Sequence, residues 1–97
     1  MIILGIDPGL AIVGYGVVEY IGNKYKAIDY GCITTGSEIL FPERLKIIYD
    51  EMLFLIDKYK PEDVAMEELF FNKNVKTAIK VGQARGVEVL AIINKIF

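Results

Sequence analysis

Ile2-Ile3-Leu4-Gly5-Ile6-Asp7-Pro8-Gly9 opens the chain and decides how the rest is read. An unbroken apolar run of this length reads as a strand buried on both faces, the kind found at the centre of an α/β sheet. Asp7-Pro8-Gly9 ends it, since Pro presets one turn position and Gly supplies positive φ at the next. Working outward, Val13 to Tyr20 reads as a second strand, Ile21-Gly22-Asn23-Lys24 as a hairpin turn and Tyr25 to Thr35 as the returning third strand. Helical spacing follows: Leu45, Ile48, Tyr49, Met52, Ile56 and Tyr59 make one apolar stripe. Pro42 suits the first turn, Glu43 favours its positive end, and Lys58, Lys60 and Pro61 close the helix. Asp63 to Glu68 reads as a short strand parallel to the first, and Asn74 can N-cap a helix running to the chain end. The expected fold is α/β: three antiparallel strands, a helix, a parallel strand and a second helix, in a single domain over residues 1–97.

The 97 residues are 54% hydrophobic and 25% charged, with mean hydropathy +0.39, which excludes a disordered tail or a low-complexity segment. A chain this short buries only about two-thirds of the surface its unfolded form exposes. So apolar a composition predicts some surface reserved for a second copy or for a missing part of the fold. The final helix says the same. Val75, Ala78, Ile79, Gly82, Gly86, Val89, Leu90, Ile93 and Phe97 form one stripe, while Val81, Val87, Ala91 and Ile92 lie outside it. A helix apolar on two sides wants two neighbours. It ends in Ile96-Phe97 without a stop signal, which reads as a truncated chain, a homodimer helix, or both.

Net charge is −2 and the isoelectric point about 5.1, so overall charge gives no reason to bind a polyanion. The charges are segregated, however. Glu38 to Glu68 holds nine acids and four bases, whereas Asn72 to Val87 holds Lys73, Lys76, Lys80 and Arg85 with no acid. Cys32 is the only cysteine and there is no histidine, which removes an intramolecular disulfide, a thiolate or imidazole zinc site and a Ser-His-Asp triad. Cys32 is expected as a small buried strand residue. The N-terminus lacks the basic region of a signal peptide, and no stretch reaches the roughly 18 apolar residues of a membrane span. A soluble, cytoplasmic protein is the expectation.

Asp7 ends the first strand on the face opposite Leu4 and Ile6, and Glu67 and Glu68 point to opposite faces of theirs. If the two strands pair in parallel, one glutamate meets Asp7. Neighbouring carboxylates repel unless a cation lies between them, and hard oxygen ligands suit Mg²⁺ or Mn²⁺. Two such ions can activate a water and stabilise the leaving oxygen in phosphodiester hydrolysis. The alternative is that Asp7 only closes its own turn and both glutamates are solvated. Phe70-Phe71-Asn72-Lys73-Asn74 then leads into the last helix. Helix N–H groups at Asn74 suit a phosphate, Lys73 and Lys76 add charge, and an exposed Phe can wedge between bases. The alternative is that both aromatics are core and the lysines a solvated face.

Leu4-Gly5-Ile6-Asp7-Pro8-Gly9, Gly14-Tyr15-Gly16-Val17, Ala65-Met66-Glu67-Glu68-Leu69-Phe70 and Lys80-Val81-Gly82-Gln83-Ala84-Arg85-Gly86 together resemble the RuvC family of bacterial Holliday junction resolvases. The motifs come in that family's order and span nearly the whole chain. The resemblance implies a ribonuclease H-like fold, here truncated before its last strand and helix. It also implies a homodimer joined through the last helix, and a metal-dependent endodeoxyribonuclease that resolves four-way junction DNA in recombination and repair with Mg²⁺ or Mn²⁺, two ions in the complete site. It makes Asp7 and Glu67 the catalytic and metal-binding carboxylates, Glu67 rather than Glu68. It makes Phe70 the residue that prises bases, and Lys73, Asn74, Lys76 and Arg85 the DNA contacts. A branch-migration complex of RuvA and RuvB is the implied partner. Two further aspartates expected of that family lie beyond this sequence, so the 97 residues alone are expected to bind metal weakly and cut little. Two other classes fit parts of the pattern: an actin- or sugar-kinase-like ATPase fragment, and a non-catalytic dimer module that binds branched DNA.

Overall fold

The structure, a computed structural model, describes residues 1–67 and 75–96, with the backbone alone at 75, 76 and 96. Its element order is β1 (Ile2–Asp7), β2 (Ile12–Ile21), β3 (Lys24–Thr34), α1 (Phe41–Tyr59), β4 (Asp63–Met66) and α2 (Val75–Ile96). The four strands form one sheet in the order β3-β2-β1-β4, with β1 antiparallel to β2 and parallel to β4. This is the expected mixed sheet. Gly22 and Asn23 turn the β2–β3 hairpin at φ 57° and 63°, the pair of positive values a two-residue turn needs to match strand twist. A shift in register between Val17 and Val18 leaves Ile28 as the extra residue of β3.

The helix α1 starts with Pro in its first turn, where a missing N–H costs nothing, and stops at Lys60 in the left-handed region, whose N–H bonds to the Ile56 carbonyl at 2.8 Å. Ile48, Met52, Leu55 and Ile56 are its buried face. They pack with Leu4, Ile6, Val13, Val17 and Ile33 from the sheet and Ala84, Ala91 and Ile92 from α2. Both helices therefore cover one side of the sheet. Truncating Met52, which is fully buried, to Ala would cost about 2–5 kcal/mol, a large share of a domain's stability.

The opposite side of the sheet explains two departures from the sequence reading. β1 is not buried on both faces: Leu4 and Ile6 are buried, but Asp7 is exposed, because no described element covers its side. Cys32 is exposed rather than buried, since it sits in register with Gly14 on that uncovered side. In α2 the long apolar stripe is the outer one. Ile79, Leu90 and Ile93 are exposed, and Ala91 and Ile92 of the shorter set enter the core together with Ala84, which the pattern placed in neither set. The two-sided pattern is present, with the longer stripe turned outward. β4 is also shorter than expected, ending at Met66, and Glu68 and the Asn74 cap lie outside the described residues.

Candidate metal centre

The parallel ladder matches Leu4 with Val64, Gly5 with Ala65 and Ile6 with Met66. The Glu67 N–H extends it by one bond, at 3.2 Å to the Ile6 carbonyl, so Glu67 stands beside Asp7 on the adjoining strand. Strand spacing in a sheet is about 4.8 Å, which brings two acids sixty positions apart within reach of one ion. Both side chains line a cavity of about 650 Å³ with Gly5, Gly14, Gly16 and Ala65, on the side of the sheet away from the helices. Small residues matter here. Gly14 faces the Asp7 Cβ at a distance that a methyl group would turn into ordinary contact, so the position paired with Asp7 puts no side chain beside the carboxylate.

Asp7 and Glu67 supply only oxygen donors, which fits a hard divalent cation. Among the described residues no third acid or cysteine joins them to form a group of three. An ion taking about six oxygens would draw the rest from beyond this pair.

The turn that leaves Asp7 is tied to the start of α1. The Thr35 N–H bonds to the Ala11 carbonyl at 3.0 Å, and its hydroxyl donates to the Leu10 carbonyl at 2.7 Å. Arg44 donates from Nε to that hydroxyl at 3.2 Å and from Nη2 to the Thr35 carbonyl at 3.0 Å. Sequence reasoning passed over both residues, yet Arg44 stands four positions before Ile48 and so falls on the core-facing stripe, where a charge needs a reason.

Glu88 was also passed over. It is fully buried in α2, four residues after Ala84 and three before Ala91, and neither carboxyl oxygen has a hydrogen-bond partner among the described residues. Burial pushes its carboxyl up to about 8; the nearby Arg85 guanidinium opposes this and Asp7 adds to it. Arg85 itself is half-buried, with Nε in the interior and unpartnered among the described residues. Lys80 reaches over the Phe41 ring at 5.7 Å, so this base of the positive run leans toward the start of α1. Phe70, Lys73 and Asn74 lie outside the described residues, as does the Lys76 side chain. Of the expected site residues, the structure brings Asp7 and Glu67 together.

The family model for crossover junction endodeoxyribonuclease RuvC matches residues 3–97. The chain is 62% identical over 95 residues to the Finegoldia magna crossover junction endodeoxyribonuclease RuvC, covering 98% of this chain and 58% of that one. It is 63% identical over 94 residues to the Alkaliphilus oremlandii protein of the same name, covering 97% and 57%. Among solved structures, T. thermophilus RuvC in complex with a Holliday junction substrate superposes with a TM-score of 0.90 at 32% identity, over 98% of this chain and 61% of that one. The chain thus spans a little over half the length of these relatives.

Proposed function

Given that the chain belongs to the crossover junction endodeoxyribonuclease RuvC family, we propose that it carries the Asp7–Glu67 half of a divalent-metal centre that hydrolyses phosphodiesters in four-way junction DNA. The observation that carries this reading is the meeting of the two carboxylates at one cavity on adjoining parallel strands. A bound Mg²⁺ or Mn²⁺ pair would supply a nucleophilic water at neutral pH and charge stabilisation for the leaving oxygen. Asp7 and Glu67 would hold the ions by carboxylate oxygen, and the glycine-lined floor would leave room for a phosphate beside them. Phe70 as base wedge, and Lys73, Asn74, Lys76 and Arg85 as DNA contacts, belong to the same proposal and rest on the family resemblance. So do the RuvA and RuvB partners and a cytoplasmic location. Among the described residues no helix is long and apolar enough to cross a membrane.

The exposed Ile79, Leu90 and Ile93 on α2 support a homodimer through that helix, since a contiguous outer apolar stripe is a surface a second copy can bury. Family membership leaves the ATPase-fragment reading without support, and the test separates a nuclease from a binding-only module. In a protein of the relatives' full length carrying this segment, Asp7→Asn is expected to cut junction cleavage in Mg²⁺ at least about a thousandfold, some 4 kcal/mol of transition-state stabilisation. Junction binding should persist, and sedimentation of the parent should give twice the chain mass. Cleavage by Asp7→Asn near the parent rate would remove the role assigned to this carboxylate. A parent that binds junctions and does not cut them in Mg²⁺ would favour the binding module.

A further inference from the structure

We propose that Thr35 and Arg44 are positioning residues for Asp7, acting as a clamp on the turn that follows it. This inference rests on the reading of Asp7 and Glu67 as cation ligands. Asp7 is the last residue of β1 and pairs with Gly14, so its ladder ends where its chemistry begins. Beyond it, residues 8–11 form a turn. The backbone bond that holds this turn from outside, among the described residues, comes from the Thr35 N–H to Ala11. The Thr35 hydroxyl fixes the neighbouring carbonyl of Leu10, and Thr35 is only 3% exposed, so water does not compete for these bonds.

Arg44 completes the clamp. Its two donors grip the hydroxyl and the carbonyl of Thr35 in a fork, which sets both the rotamer of the side chain and the direction in which its one hydroxyl proton points. With Nε–H occupying the acceptor side of the oxygen, that proton is left for the Leu10 carbonyl. The result is a chain of directed bonds from the first turn of α1, through the end of β3, to the turn after β1. An acid that must share an ion with a partner on another strand needs its backbone held to a fraction of an ångström. This clamp supplies that constraint from residues that need not touch the ion.

The test uses a protein of the relatives' full length carrying this segment, and Mn²⁺, whose paramagnetism broadens NMR signals near a bound ion. In the parent, signals of Asp7, Gly14, Ala65 and Glu67 should broaden first. Thr35→Val removes the hydroxyl at nearly constant volume and should raise the Mn²⁺ concentration needed at Asp7 about three- to tenfold. Thr35→Ser should restore the parent value. Arg44→Lys, which keeps charge but loses the fork, should fall between. Tyr59→Phe, which removes a hydrogen bond to Asp29 elsewhere in the fold, should leave Mn²⁺ binding unchanged. The proposal is overturned if Thr35→Val binds Mn²⁺ like the parent, or if Thr35→Ser fails to rescue, or if Tyr59→Phe loses as much. If the parent shows no Mn²⁺ effect, the metal reading fails instead. The clamp is then judged on the Asp7 carboxyl carbon, which should give one sharp signal in parent and Thr35→Ser and a shifted, averaged one in Thr35→Val. Identical signals in all three would overturn it.

Discussion

Gly9 and Gly14 flank Asp7 in the fold and respond oppositely to the same added methyl. A β-carbon built at Gly9 would overlap the Ile12 carbonyl, which is backbone and cannot swing aside. Gly9→Ala must therefore move the turn that the Thr35 hydroxyl and N–H hold, and a loss of about 1–3 kcal/mol is expected. A β-carbon at Gly14 would meet the Asp7 Cβ at 3.5 Å, ordinary contact. Gly14→Ala should fold with near-parent stability while narrowing the cavity at the carboxylate. Urea unfolding of the two variants checks the pair, and equal midpoints would contradict this account of the turn. Asp29 illustrates a residue whose charge serves structure. Its bond from the Tyr59 hydroxyl, then that from the Tyr30 N–H, holds its carboxyl below the usual carboxylate range.

Helix α2 carries the least comfortable group among the described residues. Glu88 is buried without a hydrogen-bond partner there, and its pKa near 8 lies well above the ordinary 4.5 of an unfolded glutamate. The folded chain thus holds a proton that the unfolded chain gives up between those values. Stability from this group is present in full below pH 4.5 and is lost as pH rises through about 8, by at most about 5 kcal/mol. Parent protein should unfold at lower urea at pH 9 than at pH 6, and Glu88→Gln, which keeps the shape without the ionisation, should flatten that difference. A parent midpoint that does not move between the two pH values would contradict a buried, neutral Glu88.

The same helix shows where sequence pattern stops. Apolar runs, turn residues and capping chemistry made the extent of β1, the Gly22–Asn23 hairpin, both ends of α1 and the parallel β4 legible, because each is dictated by local sterics and a single periodicity, although Gly9 does not take the positive φ expected of it. The sides of α2 were not, since its two stripes differ little in hydrophobicity and only packing against α1 and the sheet decides between them. Cys32 failed for a related reason: a scale that counts thiols as buried cannot know that its side of the sheet is left exposed by the described elements. That one of Glu67 and Glu68 meets Asp7 was readable from alternation and parallel order; the choice of Glu67 came from the family resemblance. Thr35, Arg44 and Glu88 were not read, because Thr35 bonds to Leu10 across the sheet, Arg44 to Thr35, and Glu88 is buried by the packing of α2.

At the scale of the whole molecule, the sheet is covered by helices on one side and, among the described residues, open on the other, where the acids and glycines lie. β1, β2 and β3 follow one another by short turns, whereas β4 reaches β1 only after the hairpin and all of α1 have intervened. Closing so long a loop costs entropy before any contact rewards it. The order of assembly follows. The hairpin and its ladder to β1 can zip early, and Glu67 takes its place only when the crossover docks. Pulse-labelled hydrogen exchange during refolding should find the amides of β2 protected before those of β4; simultaneous protection would count against this order. On the proposed role of Asp7 and Glu67, folding intermediates that already hold the antiparallel strands would be blind to divalent ions, and sensitivity to them would arrive with the native state itself.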